Sequence, residues 1–384
     1  MSRSDMSKEE ISSTVAPSDA TQSSTETGAS RGTVNRRSFL KGGVVAGAAT
    51  VGAGLLASRL PAFAQQKSST SLSAGDIAIL RFLAAAELIE TDLWQQYAEL
   101  GGVTSGSQNP YQMAFQQLDG DGSQYITSNT LDEASHANFL DAYLKSKGAP
   151  PVNLNPFRTL PSSKASGAKQ IGRLTNLMNL TVDTSWYTRY RSHQNPDFGA
   201  TFPQAIVLTG LPAIPRTNAD FGPPDHIQAI ANTAAFHFGT IEQGGSSLYS
   251  AMAQKATDPE VLRIVLSIGG DEVAHFLEWV DFAGNGVQTP IAPFTDPTNG
   301  LTFPDFNATG KPILQTNLIF PVPCEFIDAS LPRCAVIRPT APEGIAAGVV
   351  AFLTEMGLFA GQSEGFFNAL NALAAAADAA QRGM

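Results

Sequence analysis

The sequence has few cysteines, and after its N-terminal region it has no long apolar run free of charged residues. Its two cysteines, Cys324 and Cys334, lack further ligands at the short spacing of a thiolate metal site. A cysteine-rich metal centre is therefore excluded. A helix that crosses a bilayer needs roughly 20 consecutive, mostly apolar residues. We accordingly expect no stable membrane insertion once the N-terminal region has been removed.

Basic side chains are scarce relative to acidic ones. The chain has 24 Lys and Arg against 34 Asp and Glu, and residues 1–64 hold seven of the basic and five of the acidic groups. The remaining 17 basic and 29 acidic side chains give residues 65–384 a net charge of −12. Such a surface repels nucleic acid and anionic lipid, so we expect neither as a partner, whereas it attracts metal cations.

The first 64 residues have the composition of a disordered segment followed by an export signal. Residues 1–34 are rich in Ser and Thr and have little apolar surface to bury. The stretch Asn35–Lys41 contains paired arginines and precedes a weakly apolar run that ends in Ala62-Phe63-Ala64, as in a twin-arginine signal peptide. We expect a cleaved signal and a periplasmic or extracellular mature protein. In an oxidising compartment, Cys324 and Cys334 are expected to form a disulfide.

Apolar residues at helical spacing predict two helical hairpins. The first hairpin spans Asp76–Leu100 and Ser123–Lys147, and the second spans Asp225–Lys255 and Pro259–Phe282. The acidic stretch DGDGS, which begins at Asp119, lacks the glutamate of a calcium loop and is interpreted as a turn.

The hairpins are separated and followed by long irregular segments. The crossover over 149–225 is rich in Pro, Asn and Gly, with one predicted helix over Ala168–Asn179. A Pro-rich extension over 284–384 includes a strand-like stretch, Ile313–Phe320, and one or two helices over Pro342–Arg382.

Two of the five histidines occur in matched motifs, DEASH and DEVAH, each on the second helix of a hairpin. Residues three apart lie on one face of a helix. Glu133 with His136, and Glu272 with His275, can therefore each direct a carboxylate and an imidazole at one metal ion. A single motif of this kind is usually a solvated pair, but two in matching positions favour a metal site.

The other two helices contain acidic residues in apolar surroundings. Glu242 lies in FHFGTIEQGGSSLY, where an unpaired buried carboxylate would be costly, so we expect it to have a cationic partner. The first helix offers Glu87 and Glu90, which are one turn apart. We choose Glu87, because the apolar stretch ILRFLAAAEL leads directly to it, and keep Glu90 as the alternative.

Two glutamates from two helices and two Glu-x-x-His pairs from the other two are the ligand set of a carboxylate-bridged dimetal site. With this set, the region over 76–283 resembles a ferritin-like four-helix bundle of the exported type, similar to plant desiccation-related proteins. The resemblance implies an all-α fold in which a long crossover joins two parallel helices. The residues that carry it are Glu87 (or Glu90), Glu133, His136, Glu242, Glu272 and His275.

In the family that the chain resembles, an aromatic residue often lies seven residues after the glutamate of the first or third helix. Trp94 follows Glu87 at this distance, and Tyr97 follows Glu90. The spacing of Tyr97 therefore favours Glu90 as the ligand, whereas the apolar stretch ILRFLAAAEL favours Glu87. Tyr249 follows Glu242 in the same way.

Outside the proposed ligand set, the motif aspartates and the other histidines have simpler interpretations. Asp132 and Asp271 precede His136 and His275 by four residues, so they are candidate acceptors for the ligand imidazoles. His237 is off the face of Glu242 and is interpreted as a core residue. Two more histidines, at positions 193 and 226, lie in or beside loops without a ligand-spaced partner.

The leading hypothesis is a dinuclear iron or manganese site, because carboxylates with two imidazoles suit these metals. The resemblance implies a ferroxidase, an oxidase or a peroxide-detoxifying activity in stress protection, with dioxygen or peroxide as substrate. The alternative is a metal-free structural or desiccation-protective exported protein without catalysis. Iron storage in a hollow shell ranks lowest, because the large insertions would crowd a closed cage. The sequence leaves the oligomeric state open, with a dimer as one possibility, and a monomer or dimer in solution would rule out the shell.

Overall fold

The computed structural model describes residues 71–103, 109–190, 202–308, 321–322, 327–335 and 342–383. These belong to one of two units, Gln66–Met384, the other being Met1–Gln65. Cys324, His193 and the predicted strand Ile313–Phe320 lie outside the described residues, so the disulfide and the strand stay predictions. The division of the chain into a signal region, a bundle and an extension also stays a prediction.

Four long helices form the bundle, within a few residues of the predicted bounds. They are α1 (Ala74–Gly101), α3 (Gly122–Ser146), α5 (Pro224–Lys255) and α6 (Pro259–Asn285). Helix α1 packs mainly against α3, and α5 packs mainly against α6, so each predicted hairpin is a structural pair. A short helix α2 (Pro110–Leu118) lies between α1 and α3.

Helix ends are fixed by local sequence signals. The Ser73 hydroxyl accepts a hydrogen bond from the backbone N–H of Asp76 at 3.0 Å, which caps α1. Asp258 caps α6 in the same way, with Pro259 at the first helical position. Before α3, the Asp119 carboxylate accepts a hydrogen bond from the N–H of Asp121 at 2.8 Å, which agrees with a turn at DGDGS.

The crossover contains short strands, and the predicted helix over Ala168–Asn179 is wrong. This segment is irregular and leads into β1 (Leu180–Val182), which pairs antiparallel with β2 (Leu208–Leu211). The reason is tertiary hydrogen bonding, since the N–H groups of Leu174 and Thr175 donate to the Asp92 carboxylate of α1 at 3.0 and 2.9 Å. These bonds replace those of a local helix. A single-turn helix, α4 (Trp186–Arg189), follows β1.

The extension carries two further antiparallel strand pairs and two helices. The pairs are β3 (Phe294–Thr295) with β4 (Thr302–Phe303), and β5 (Pro321–Val322) with β6 (Cys334–Ala335). The predicted helical tail is two helices, α7 (Ile345–Glu355) and α8 (Glu364–Ala379).

Helix α8 caps the start of α7. The Asp378 carboxylate accepts hydrogen bonds from the N–H groups of Ala346 and Ala347 at 3.0 and 2.9 Å. Because Gly344, before α7, has no side chain to cap the helix, Asp378 supplies the acceptor and complements the helix dipole. The Lys255 ammonium of α5 donates to the carbonyl of Asp378 at 2.7 Å, so the tail is joined to the bundle.

An aromatic layer fills the bundle core beside the DExxH motifs. The ring centroids of Trp94 and Trp279 are 5.2 Å apart, and that of Phe238 is 4.7 Å from each of them. These contacts join α1, α5 and α6 at one level and fix their relative positions. Among the helices that the structure describes, none is long and apolar enough to cross a membrane.

Candidate metal centre

The four bundle helices bring all six predicted residues into two adjoining groups of buried side chains. One group is Glu87, Glu133, His136 and Glu272, and the other is Glu133, Glu242 and His275. Within each group, one donor atom per residue lies within 4.8 Å of every other. The four glutamates are at most 1% exposed. Glu133 belongs to both groups, so it occupies the place of a bridge between two metal positions.

The first group is arranged around one ring nitrogen. Nδ1 of His136 lies 3.2 Å from Oε2 of Glu133, 3.4 Å from Oε2 of Glu87 and 3.7 Å from Oε1 of Glu272. These four residues come from α1, α3 and α6. The convergence of their donor atoms supports the predicted ligand set at this position.

The second group repeats this arrangement on the other side of Glu133. Nδ1 of His275 lies 3.1 Å from Oε1 of Glu133 and 3.3 Å from Oε2 of Glu242. His275 is thus the cationic partner expected for Glu242. Each histidine turns the same ring nitrogen, Nδ1, towards the buried glutamates.

The outer nitrogens of the two histidines contact the motif aspartates. Nε2 of His136 lies 3.2 Å from the Asp271 carboxylate, and Nε2 of His275 lies 3.5 Å from that of Asp132. Each of these contacts joins the two DExxH helices, whereas the same-helix pair of Asp271 and His275 is longer, at 3.7 Å. The expected aspartate acceptors are therefore present, but the shortest aspartate contact of each imidazole is to the opposite helix. A carboxylate at Nε2 holds the proton on that nitrogen and leaves Nδ1 free to bind a metal.

The histidines change the ionisation of the central carboxylate. Burial alone would raise the pKa of Glu133, but hydrogen bonds to His136 and His275 outweigh it and lower the pKa to about 2. Burial opposes charging of His136, yet its contacts with Glu133 and Glu87 raise its pKa to about 10. The pKa of His275 is also raised, against burial, by attraction to Glu242 and contacts with Asp132 and Glu133.

The other three glutamates are pushed towards their neutral forms. Burial raises the pKa of Glu87 to about 8 and that of Glu242 to about 7, in spite of their histidine partners. Burial and repulsion from Glu133 raise the pKa of Glu272 well above its usual range. The two imidazoles can balance only two ionised carboxylates, so ionisation of all four glutamates requires further cations.

Glu90, the alternative to Glu87, lies outside both groups. It is half-buried and lines a small cavity beside the centre. Burial and repulsion from Glu133 raise its pKa well above the usual range, so it lies within the electrostatic reach of the site. The geometry supports Glu87 as the ligand of the first helix.

Two polar residues support the glutamates, and the predicted site omitted both. The amide nitrogen of Asn129 donates to Glu133 at 2.7 Å and to Glu242 at 3.3 Å, and its oxygen accepts from Trp279 Nε1 at 2.8 Å. The Tyr249 hydroxyl donates to Oε1 of Glu87. Asn129 precedes Glu133 by four residues, a spacing that places it on the same helix face and was available in the sequence.

The remaining described histidines lie away from the cluster. His237 is fully buried and shares a hydrogen bond of 2.8 Å with the Tyr97 hydroxyl, which agrees with a core residue. His226 is buried in the first turn of α5, with Nδ1 2.9 Å from Asp296 and Nε2 3.4 Å from Asp220. Its two acidic partners come from the crossover and the extension, so no ligand spacing in the sequence indicated them.

The donor set fits two divalent cations. Both carboxylate oxygens of Glu272 are buried and accept no hydrogen bond from the described residues, and Oε2 of Glu87 and of Glu242 each have only a histidine Nδ1 beside them, at 3.4 and 3.3 Å. Such buried acceptors are costly unless a cation or donor meets them. Four ionised glutamates carry the charge that two divalent ions neutralise, and carboxylates with imidazoles suit iron and manganese.

Comparison with known families agrees with this fold. Residues 75–279, more than half of the chain, match the model of the ferritin-like domain, and residues 33–53 match the twin-arginine translocation pathway signal sequence. The chain therefore belongs to the ferritin-like domain family and carries a signal for export to the periplasm or the extracellular space. The comparisons with curated proteins and with solved structures gave no match.

Proposed function

We propose that this exported protein holds a dinuclear iron or manganese centre and acts as an oxidase, ferroxidase or peroxide-detoxifying enzyme. The observation that carries the proposal is the sharing of Glu133 between two buried groups that each end in one histidine Nδ1. An isolated metal ion would not require a second, matched set of donors.

The side chains have separate tasks in this proposal. Glu133 would be shared by the two ions, and Glu272 would add a second carboxylate from the matching motif. Glu87 with His136, and Glu242 with His275, complete one position each. Two such ions supply the electron transfer needed to reduce dioxygen or peroxide. The Tyr249 hydroxyl, bonded to Glu87, orients that carboxylate and can pass a proton to it.

A metal-free structural or desiccation-protective role is the second candidate. The contacts that favour it are the ion pairs which already satisfy part of the cluster, such as His275 with Glu133 at 3.1 Å. The aromatic layer stabilises the bundle independently of a metal. In this role, added metal would leave the melting temperature unchanged.

Metal analysis of the protein exported by its own host tests the two candidates. We expect about two iron or manganese ions per chain and a melting temperature that rises with metal, because binding to the folded state stabilises it. Glu133→Gln should remove most of the bound metal, since it neutralises the shared carboxylate. Asp281→Asn, an exposed change on the same α6 helix as His275, should leave the metal content unchanged.

Two results would contradict the dimetal centre. One is the absence of bound metal together with a melting temperature that does not respond to added Fe²⁺ or Mn²⁺. The other is equal metal content in Glu133→Gln and Asp281→Asn. Turnover of peroxide without net oxidation of Fe²⁺ would separate a peroxide-detoxifying enzyme from a ferroxidase.

A further inference from the structure

A small cavity lies where α1, α5 and α7 meet, and most of its wall is apolar. Its volume is about 20 Å³, room for about one water-sized molecule. Ile89 and Leu93 line it from α1, Leu248 from α5, and Val349 and Leu353 from α7. None of these side chains offers a hydrogen bond to a water molecule, so the space suits a small apolar occupant.

The cavity adjoins the candidate metal centre at a glycine. Gly245 forms part of the wall, and a Cβ atom at this position would clash with Oε2 of Glu272. The Glu272 carboxylate therefore packs directly against the backbone of Gly245, which is all that separates it from the cavity at this point. Thr240 and Ile241, which also line the cavity, directly precede Glu242 on α5.

The outer wall comes from the extension. Helix α7 lies beyond residues 75–279, the part of the chain that matches the ferritin-like domain. Its N-terminus is held by hydrogen bonds to Asp378 of α8, and α8 is joined to α5 through Lys255. The extension therefore closes over the bundle at the level of the candidate centre.

The cavity contains one carboxyl group, that of Glu90, and its surroundings favour the neutral form. Burial and repulsion from Glu133 raise the pKa of Glu90 well above its usual range. Among the described residues none donates a hydrogen bond to it. An ion that entered would lose its hydration in an apolar wall without compensation.

We propose that this cavity binds a small uncharged oxidant of the size of dioxygen beside the candidate metal centre, and that α7 forms the outer wall of this site. The role of the molecule as an oxidant rests on the proposed function, whereas its binding in the cavity does not. The α7 helix thereby limits which molecules reach Glu272 from the side opposite to the motif aspartates.

Dissolved dioxygen is paramagnetic, so its binding can be measured on the full-length, metal-free protein by relaxation of methyl NMR signals. We expect several-fold stronger relaxation at Leu248 than at Leu140, which is equally buried in α3 but far from the cavity wall. Val349→Phe should fill the cavity and abolish the effect at Leu248. Ala351→Phe, an exposed change on the same helix, should leave it unchanged.

A second measurement uses the Fe²⁺-loaded protein. We expect Val349→Phe to slow iron oxidation by dioxygen several-fold relative to Ala351→Phe, with equal metal content in both variants. Equal rates in the two variants would overturn the proposal, and so would relaxation at Leu248 no greater than at Leu140.

The two hypotheses fail separately. If Leu248 shows strong relaxation but the protein binds no metal, the proposed binding in the cavity is supported and the proposed function is contradicted. If Val349→Phe does not fold, Leu353→Ala provides the opposite change. It should enlarge the cavity and strengthen the relaxation at Leu248, and unchanged relaxation would overturn the proposal.

Discussion

The carboxylate of Asp271 lies 3.2 Å from Nε2 of His136, although the two residues belong to different helices of the bundle. Each DExxH motif thus supplies the acceptor for the histidine of the other. The contacts of Asp271 with His136 and of Asp132 with His275 join α3 to α6 at the candidate centre and fix the orientation of both imidazole rings.

The first prediction concerns this contact. Asp271→Asn removes the negative charge at Nε2 of His136 and lowers the basicity of Nδ1. Loss of such a carboxylate typically costs about 10–100-fold in metal affinity. We expect a decrease of this size for Mn²⁺ in competition with a chelator, and the exposed Asp281→Asn provides the control. Equal affinities in the two variants would show that Asp271 does not act through the imidazole.

The second prediction is a loss of stability of the metal-free protein as the pH rises from about 6 to 9. The folded state raises the pKa of Glu242 to about 7 and that of Glu87 to about 8, from the usual value of 4.5. A carboxyl whose pKa is raised by folding contributes stability below its unfolded pKa and loses it as the pH passes the folded value. Folding also raises the pKa of His136, from 6.5 to about 10, so its contribution falls in the same direction above pH 6.5.

Thermal unfolding at several pH values tests this expectation. The melting temperature of the metal-free protein should fall between pH 6 and pH 9, whereas the metal-loaded protein should show a smaller decrease, because bound cations favour the ionised carboxylates. A Glu87→Gln, Glu242→Gln double variant should show a smaller decrease, because only the contribution of the histidines remains. A metal-free protein that becomes more stable over this range would contradict the assignment of these two groups.

The third prediction compares two glycines within bundle helices. Gly245→Ala places a methyl group against Oε2 of Glu272, so we expect reduced metal content and a lower melting temperature. Gly270→Ala, on exposed α6 surface with nothing within 4 Å of the added atom, should stabilise the protein by about 0.5–1 kcal/mol. Denaturant unfolding and metal analysis of both variants provide the measurement. Normal metal content in Gly245→Ala would show that a methyl group at this position does not displace the Glu272 carboxylate from the site.

The sequence predicted those parts of the fold that depend on local patterns. Helix periodicity predicted the four bundle helices, and the repeated spacing of Glu133 with His136 and of Glu272 with His275 predicted the candidate centre. The choice of Glu87 over Glu90 was harder, because the two residues differ by less than one helical turn and the nearby aromatic spacing favoured Glu90.

Features that depend on contacts far apart in the chain could not be predicted. The segment after Ala168 is irregular because its N–H groups bond to Asp92 of α1, which helix propensity does not report. In the same way, the burial of His226 depends on Asp296, 70 residues further along the chain. The contact of Asp271 with His136 forms only where two helices meet. The DEVAH motif alone suggested that Asp271 contacts His275, four residues further along the same helix.

The near-complete burial of the four glutamates has a consequence for when the protein acquires its metal. An ion that binds at Glu133 or Glu242, both fully buried, has to pass between the packed helices. If the proposed centre is present, uptake would be fastest while the chain folds, and a chain that is exported in the folded state would take up its ions before it leaves the cytoplasm. The cytoplasmic supply at the moment of folding, rather than the affinity outside the cell, would decide which metal the exported protein contains.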